Sequence, residues 1–69
     1  MTKLPSSDKV ISILLRNGFY FKSQKGSHMK YTHGHKTVIV PANKKEIPLG
    51  TLKSICRQSG LDYQEFINL

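Results

Sequence analysis

Residues 19–41 read FYFKSQKGSHMKYTHGHKTVIVP, and this stretch decides the fold. Aromatic, β-branched and alternating residues fill Phe19–Gln24, His28–His33 and Lys36–Val40, with Lys25-Gly26-Ser27 and Gly34-His35 between them. Three such runs separated by glycine-bearing turns predict an antiparallel meander. Register can be argued, because a slip of one residue exchanges the two faces of a strand. A three-residue loop over 25–27, with Gly26 in its left-handed position, sets Gln24 opposite His28, Lys22 opposite Lys30 and Phe21 opposite Tyr31. One face then collects Phe19, Phe21, Met29, Tyr31, Val38 and Val40. The other shows Tyr20, Lys22, Gln24, His28, Lys30, Thr32 and Thr37. A two-residue turn would set Phe21 opposite Lys30 and is rejected, which leaves a sheet with one dry face and one wet face.

Working outward, Pro5 and then Ser6, Ser7 and Asp8 offer a helix N-cap. Val10, Ile11, Leu14 and Leu15 recur at helical spacing over about Ser7–Asn17, until Gly18 supplies a left-handed stop. Downstream, Pro41 ends the third strand and the polar loop Ala42–Glu46 follows. Leu49, Leu52, Ile55 and Cys56 mark the inner stripe of a second helix closed by Gly60. Asp62-Tyr63-Gln64-Glu65 is the aspartate form of a capping box, and Phe66, Ile67 and Leu69 would pack a short terminal helix beside Leu61. The predicted fold is α+β, in the order α-β-β-β-α plus a short C-terminal helix. Helices on one face of a three-stranded antiparallel sheet would bury every apolar stripe in two layers.

At 69 residues and 7.8 kDa, the chain supports one small core, so residues 1–69 are read as a single domain and a two-domain enzyme is excluded. Its net charge of +7 and pI near 9.9 point to polyanionic partners. The surplus is concentrated: Lys9, Arg16, Lys22, Lys25, Lys30, Lys36, Lys44 and Lys45 span a stretch without one acid. The four acids stand where backbone chemistry accounts for them, Asp8 at a helix start, Asp62 and Glu65 in the capping box, Glu46 in a loop. A single cysteine, Cys56, forms no internal disulfide and favours a reducing compartment. Without a charged leader or an apolar run approaching ~18 residues, the chain is expected to be soluble and cytoplasmic and to avoid membranes.

Catalytic machinery is sparse: there is no glycine-rich phosphate loop, no nucleophile with a local signature and no carboxylate dyad. Histidine remains. His33 and His35 flank Gly34 at a turn, where polar residues belong for geometric reasons. With His28 they could form a metal site, but His33 falls on the opposite face and neither carboxylate nor thiol stands near, so neither metal nor cofactor is expected. His28 begins the second strand on the wet face, with Lys22 and Lys30 as neighbours. One reading is a plain surface residue. The other is a proton shuttle for RNA cleavage, since imidazoles as a class titrate near pH ~6.5 and the RNA brings its own nucleophile, the 2′-hydroxyl. Lys22, Lys25 or Lys30 would then hold the phosphate and offset its growing charge. Tyr20 suits either base stacking or a half-buried sheet position. Gly50-Thr51 suits either phosphate binding through backbone N–H groups or ordinary capping.

The string Gly26-Ser27-His28 at the head of a strand, then Val38-Ile39-Val40-Pro41, Lys45-Glu46-Ile47 and Gly50-Thr51-Leu52-Lys53-Ser54-Ile55, resembles the HicA family of mRNA interferase toxins. The likeness takes in Asn17-Gly18-Phe19 and Gln58-Ser59-Gly60-Leu61 and so covers nearly the whole chain. It implies a fold similar to a double-stranded RNA-binding domain and a metal-independent endoribonuclease that cuts mRNA, with the ribosome as one setting, and so arrests translation and growth. The family's histidine maps to His28, with Ser27 beside it in the motif. A HicB-type antitoxin is the implied partner, and DNA would be met only through the toxin–antitoxin complex. Many relatives carry another histidine two residues after the proline, where this chain has Asn43. Asn43 exchanges no proton near neutrality, so the second proton-transfer role is open to water, Lys30, Tyr20 or a ribosomal group. Two other readings stay in play: a non-catalytic RNA-binding module that clamps phosphates through Lys22, Lys25, Lys30, Lys44 and Lys45, and a basic face that serves an acidic protein.

Overall fold

A computed structural model describes residues 3–67. The first helix, α1 (Ser7–Arg16), starts where Ser6, in extended conformation, accepts a hydrogen bond from the Lys9 amide at 3.1 Å. Its neighbour Ser7 is buried and ties three segments together. Its hydroxyl donates to the Pro41 carbonyl at 2.6 Å and accepts from the Lys44 amide at 2.9 Å, while its own amide donates to the Lys44 carbonyl at 2.9 Å. The helix stops at Gly18, whose φ of +89° lets the Phe19 amide return to the Leu14 carbonyl at 3.0 Å. A β-carbon at Gly18 would also stand 3.0 Å from the His33 ring, so two constraints select glycine there.

Strands β1 (Tyr20–Lys25), β2 (His28–His33) and β3 (Lys36–Pro41) form an antiparallel sheet in that order. The second connection keeps the expected faces, with Tyr31 opposite Val38 and Met29 opposite Val40. The first does not: the turn has two residues, Gly26 and Ser27, so Lys25 faces His28, Gln24 faces Met29 and Ser23 faces Lys30. Lys22 is an extra residue in β1, and beyond it Phe21 faces Tyr31 as expected. The short turn is thus compatible with the Phe21–Tyr31 pair because a one-residue bulge restores the register. Gly26 is left-handed, with φ of +59°.

Helix α2 (Leu49–Ser59) ends at left-handed Gly60, and α3 (Tyr63–Ile67) closes the described chain. Both layers meet in a core of Val10, Ile13, Leu14, Phe19, Tyr31, Val38, Val40, Ile47, Leu52, Ile55 and Phe66. Full burial of such side chains contributes roughly 1.5–3 kcal/mol each. The helices cover β2 and β3 more than β1, all six of whose residues are exposed. Phe21 is therefore half-exposed, not in the dry face proper, and reaches the core through an edge contact with Tyr31 at 5.7 Å. Thr32, expected on the wet face, is buried, with its hydroxyl donating to the Lys36 carbonyl at 3.0 Å. Leu49 opens α2 exposed instead of joining its inner stripe, because the stripe proper is Leu52 and Ile55 with Cys56 half-buried. At α3 the Asp62 carboxylate accepts from the Gln64 amide at 3.0 Å, one half of the predicted capping box; no bond from the Glu65 side chain completes it among the described residues. Leu69 lies outside the described residues. No helix among those described is long and apolar enough to cross a membrane.

Candidate nucleic-acid interface

His28 is the first residue of the central strand, and its backbone is held from both sides. It pairs with Lys25 across the turn and with Pro41 of β3, and the Ala42 amide donates to the Ser27 carbonyl at 2.7 Å just beyond the strand end. The side chain nevertheless is exposed. A fixed backbone carrying a solvent-facing imidazole is the geometry general acid–base chemistry needs. Lys30 follows two residues on, so alternation puts it on the same face, paired with Ser23 and Ile39. Lys25, Ser27, His28 and Lys30 are thus gathered at one end of the open face, and no acid lies on any of the three strands.

The other residues singled out in the sequence are spread further. Tyr20 is exposed and paired with Thr32, on the open face but four positions along the sheet, about 14 Å from the His28 end at strand rise. Lys22 is the bulge residue between these ends and is exposed. Lys44 and Lys45 stand elsewhere, lining a depression at the start of α1 with Ser6, Ser7, Asp8 and Asn43. Asn43 has a φ of +58°, a conformation asparagine tolerates better than most residues, and it lines this second depression and not the one at His28. His33 turns away toward Phe19, their rings 5.4 Å apart. Among the described residues no three histidine, cysteine or acidic side chains converge.

Beside His28 lies a depression of about 220 Å³, walled by Ile39 and Pro41 of the sheet and by Thr51, Ser54 and Gln58 of α2. Their spacing of three and four residues puts those three polar side chains on one face of the helix. Gln58 reaches across to the outer edge of β3, where its side-chain oxygen accepts the Ile39 amide at 3.0 Å. Ser54 accepts from the Arg57 guanidinium at 3.3 Å. The sequence reading missed Ser54, Arg57 and Gln58. Thr51 it weighed, with Gly50, as a backbone N–H phosphate contact or as ordinary capping, not for its side chain; α2 begins at Leu49 after Pro48 without a side-chain cap. Burial, and then Asp62, push the Cys56 thiol above its usual range.

A search of curated protein sequences returns no match. The family model described as the HicA toxin of bacterial toxin–antitoxin systems matches residues 7–61, from the first residue of α1 to just past the end of α2. That span takes in every strand and both larger helices, and with it the chain belongs to the HicA toxin family.

Proposed function

We propose that the protein is a metal-independent endoribonuclease, the toxin half of a pair whose HicB-type antitoxin blocks it, and that His28 moves the proton. The observation that carries this reading is the exposed imidazole at a rigid strand end, opposite Lys25 and beside Lys30, on a face without acids. In the reaction the ribose 2′-oxygen bonds to phosphorus as the bond to the 5′-oxygen breaks. The products are a 2′,3′-cyclic phosphate and a 5′-hydroxyl end. His28 either takes the 2′-hydroxyl proton or supplies the proton the departing 5′-oxygen needs, and water makes the other transfer. Lys25 and Lys30 offset the charge that grows on the phosphoryl oxygens, with Ser27 at the turn beside them. Lys22 and Tyr20 extend the same face as contacts for phosphate and base. Lys44 and Lys45, on the α1 side, would meet phosphates of a longer strand or the antitoxin. The substrate is mRNA met in the cytoplasm, free or on the ribosome, and DNA is reached only through the antitoxin. The whole chain, residues 1–69, acts as one HicA-like domain with a likeness to double-stranded RNA-binding domains.

Expression of His28→Ala tests the reading. The expected outcome is relief of growth arrest and loss of RNA cleavage by about 10²–10⁴-fold. A variant that damages mRNA as fast as the parent overturns catalysis at His28. A parent protein that binds RNA but leaves it intact makes the chain a binding module instead.

A further inference from the structure

We infer that the Thr51–Ser54–Gln58 face of α2 is a second RNA-backbone wall, with Gln58 as its main phosphate contact, opposite His28 across their shared depression. The inference rests on the proposed function and adds residues to it. Its starting point is how the polar atoms of this wall are already used. A backbone N–H can be met only by the oxygen of a glutamine amide, so the 3.0 Å bond from Ile39 fixes which way the Gln58 amide is turned. Its oxygen is spent on β3, and its NH2 is left on a side chain that lines the depression. At Ser54 the oxygen accepts from Arg57, which leaves its hydrogen to donate. Each oxygen already accepts a bond inside the protein, while the Gln58 NH2 and the Ser54 hydroxyl hydrogen remain to donate.

A surface that offers donors and carries no acid suits a partner that offers acceptors alone. Base edges present donors and acceptors in mixture, whereas a phosphodiester presents only acceptors, and a charged one at that. No acid lines the depression. The backbone of an RNA strand lying between His28 and α2 is therefore the ligand class these groups recognise. The tie to β3 gives the contact its rigidity, because Gln58 is oriented before any RNA arrives and loses little freedom on binding.

The test uses binding, so that it does not depend on chemistry at His28. The probe is a short single-stranded RNA titrated into the full-length His28→Ala protein. Gln58→Glu, added to that background, keeps an acceptor for the Ile39 amide but replaces the donors with a charge that repels phosphate. It is expected to raise Kd at least about 10-fold with the melting temperature retained. Gln64→Glu makes the same change of charge on α3, outside the depression, and is expected to raise Kd less than about 3-fold. Should Gln58→Glu fail to fold, Ser54→Ala serves, with an expected loss of about 3-fold. Equal Kd values for Gln58→Glu and Gln64→Glu overturn the inference and leave the proposed function standing. Absence of RNA binding by the His28→Ala protein itself overturns both.

Discussion

β1 and β3 are the two edge strands of one small sheet, yet they live in different surroundings. β3 buries Val38 and Val40 under the helices and has an outer-edge amide, that of Ile39, closed by Gln58. β1 leaves all six residues exposed, carries the bulge at Lys22, and among the described residues its outer edge pairs with no strand. The difference follows from supply: two helices of ten and eleven residues cannot roof three strands, so they cover the central strand and one edge. It also places the candidate site. The depression beside His28 forms on the edge where a helix supplies a second wall, while the open edge offers only a flat, basic, partly aromatic surface.

The sharpest way to break this comparison is to remove one phenyl ring from the shared core and one from β1. Phe66→Ala empties a fully buried position and is expected to cost about 3–5 kcal/mol, much of what a domain this size has in hand. Phe21→Ala removes a half-exposed ring whose described aromatic partner is Tyr31, and about 1 kcal/mol is expected. Urea unfolding of the two variants measures both. Equal losses would mean that β1 belongs to the core after all.

The same pair of strands shows what could be read in advance. Alternation in His28–His33 and Lys36–Val40 was enough to pair β2 with β3, because both strands are half-buried and a slipped register would expose valines. At β1 the constraint was a single pair, Phe21 with Tyr31. A three-residue loop satisfies it, and so does a two-residue turn with a bulge at Lys22. Nothing in a strand with no buried residue distinguishes them. His28 was legible because glycine, serine and a strand start put it at a turn on the wet face. The α2 wall was not: Thr51, Ser54 and Gln58 on a helix look like any solvated stripe until the fold turns them toward β3.

Ser7 anchors the loop that follows the closed edge. Ser7→Ala strips the hydroxyl that serves the Pro41 carbonyl and the Lys44 amide, leaving both without that partner at a part-buried position. A loss of about 1–3 kcal/mol is expected, between the two phenylalanine variants. Hydrogen exchange at the Lys44 amide should quicken beyond what global destabilisation explains. If exchange there rises only as it does at Leu52, the loop after β3 is held by its backbone bonds and Ser7 is merely a buried residue.

The smallest expected effect separates buried from exposed by pH. Burial raises the Tyr31 phenol above its ordinary value of 10.0. The direction fixes the sign: in the unfolded chain the phenol gives up its proton near 10, in the folded protein only at higher pH. Between those values unfolding releases a proton, so stability present below pH ~10 is lost as pH rises through that window. Tyr31→Phe removes the linkage while keeping the ring that Phe21 packs against. The parent should therefore lose stability faster than Tyr31→Phe above pH 10, with parallel curves at lower pH, and denaturant midpoints measured from pH 8 to 11 give the comparison. Curves that stay parallel to pH 11 would show that the hydroxyl meets water in the folded state, and the helical roof over β2 would then end short of Tyr31.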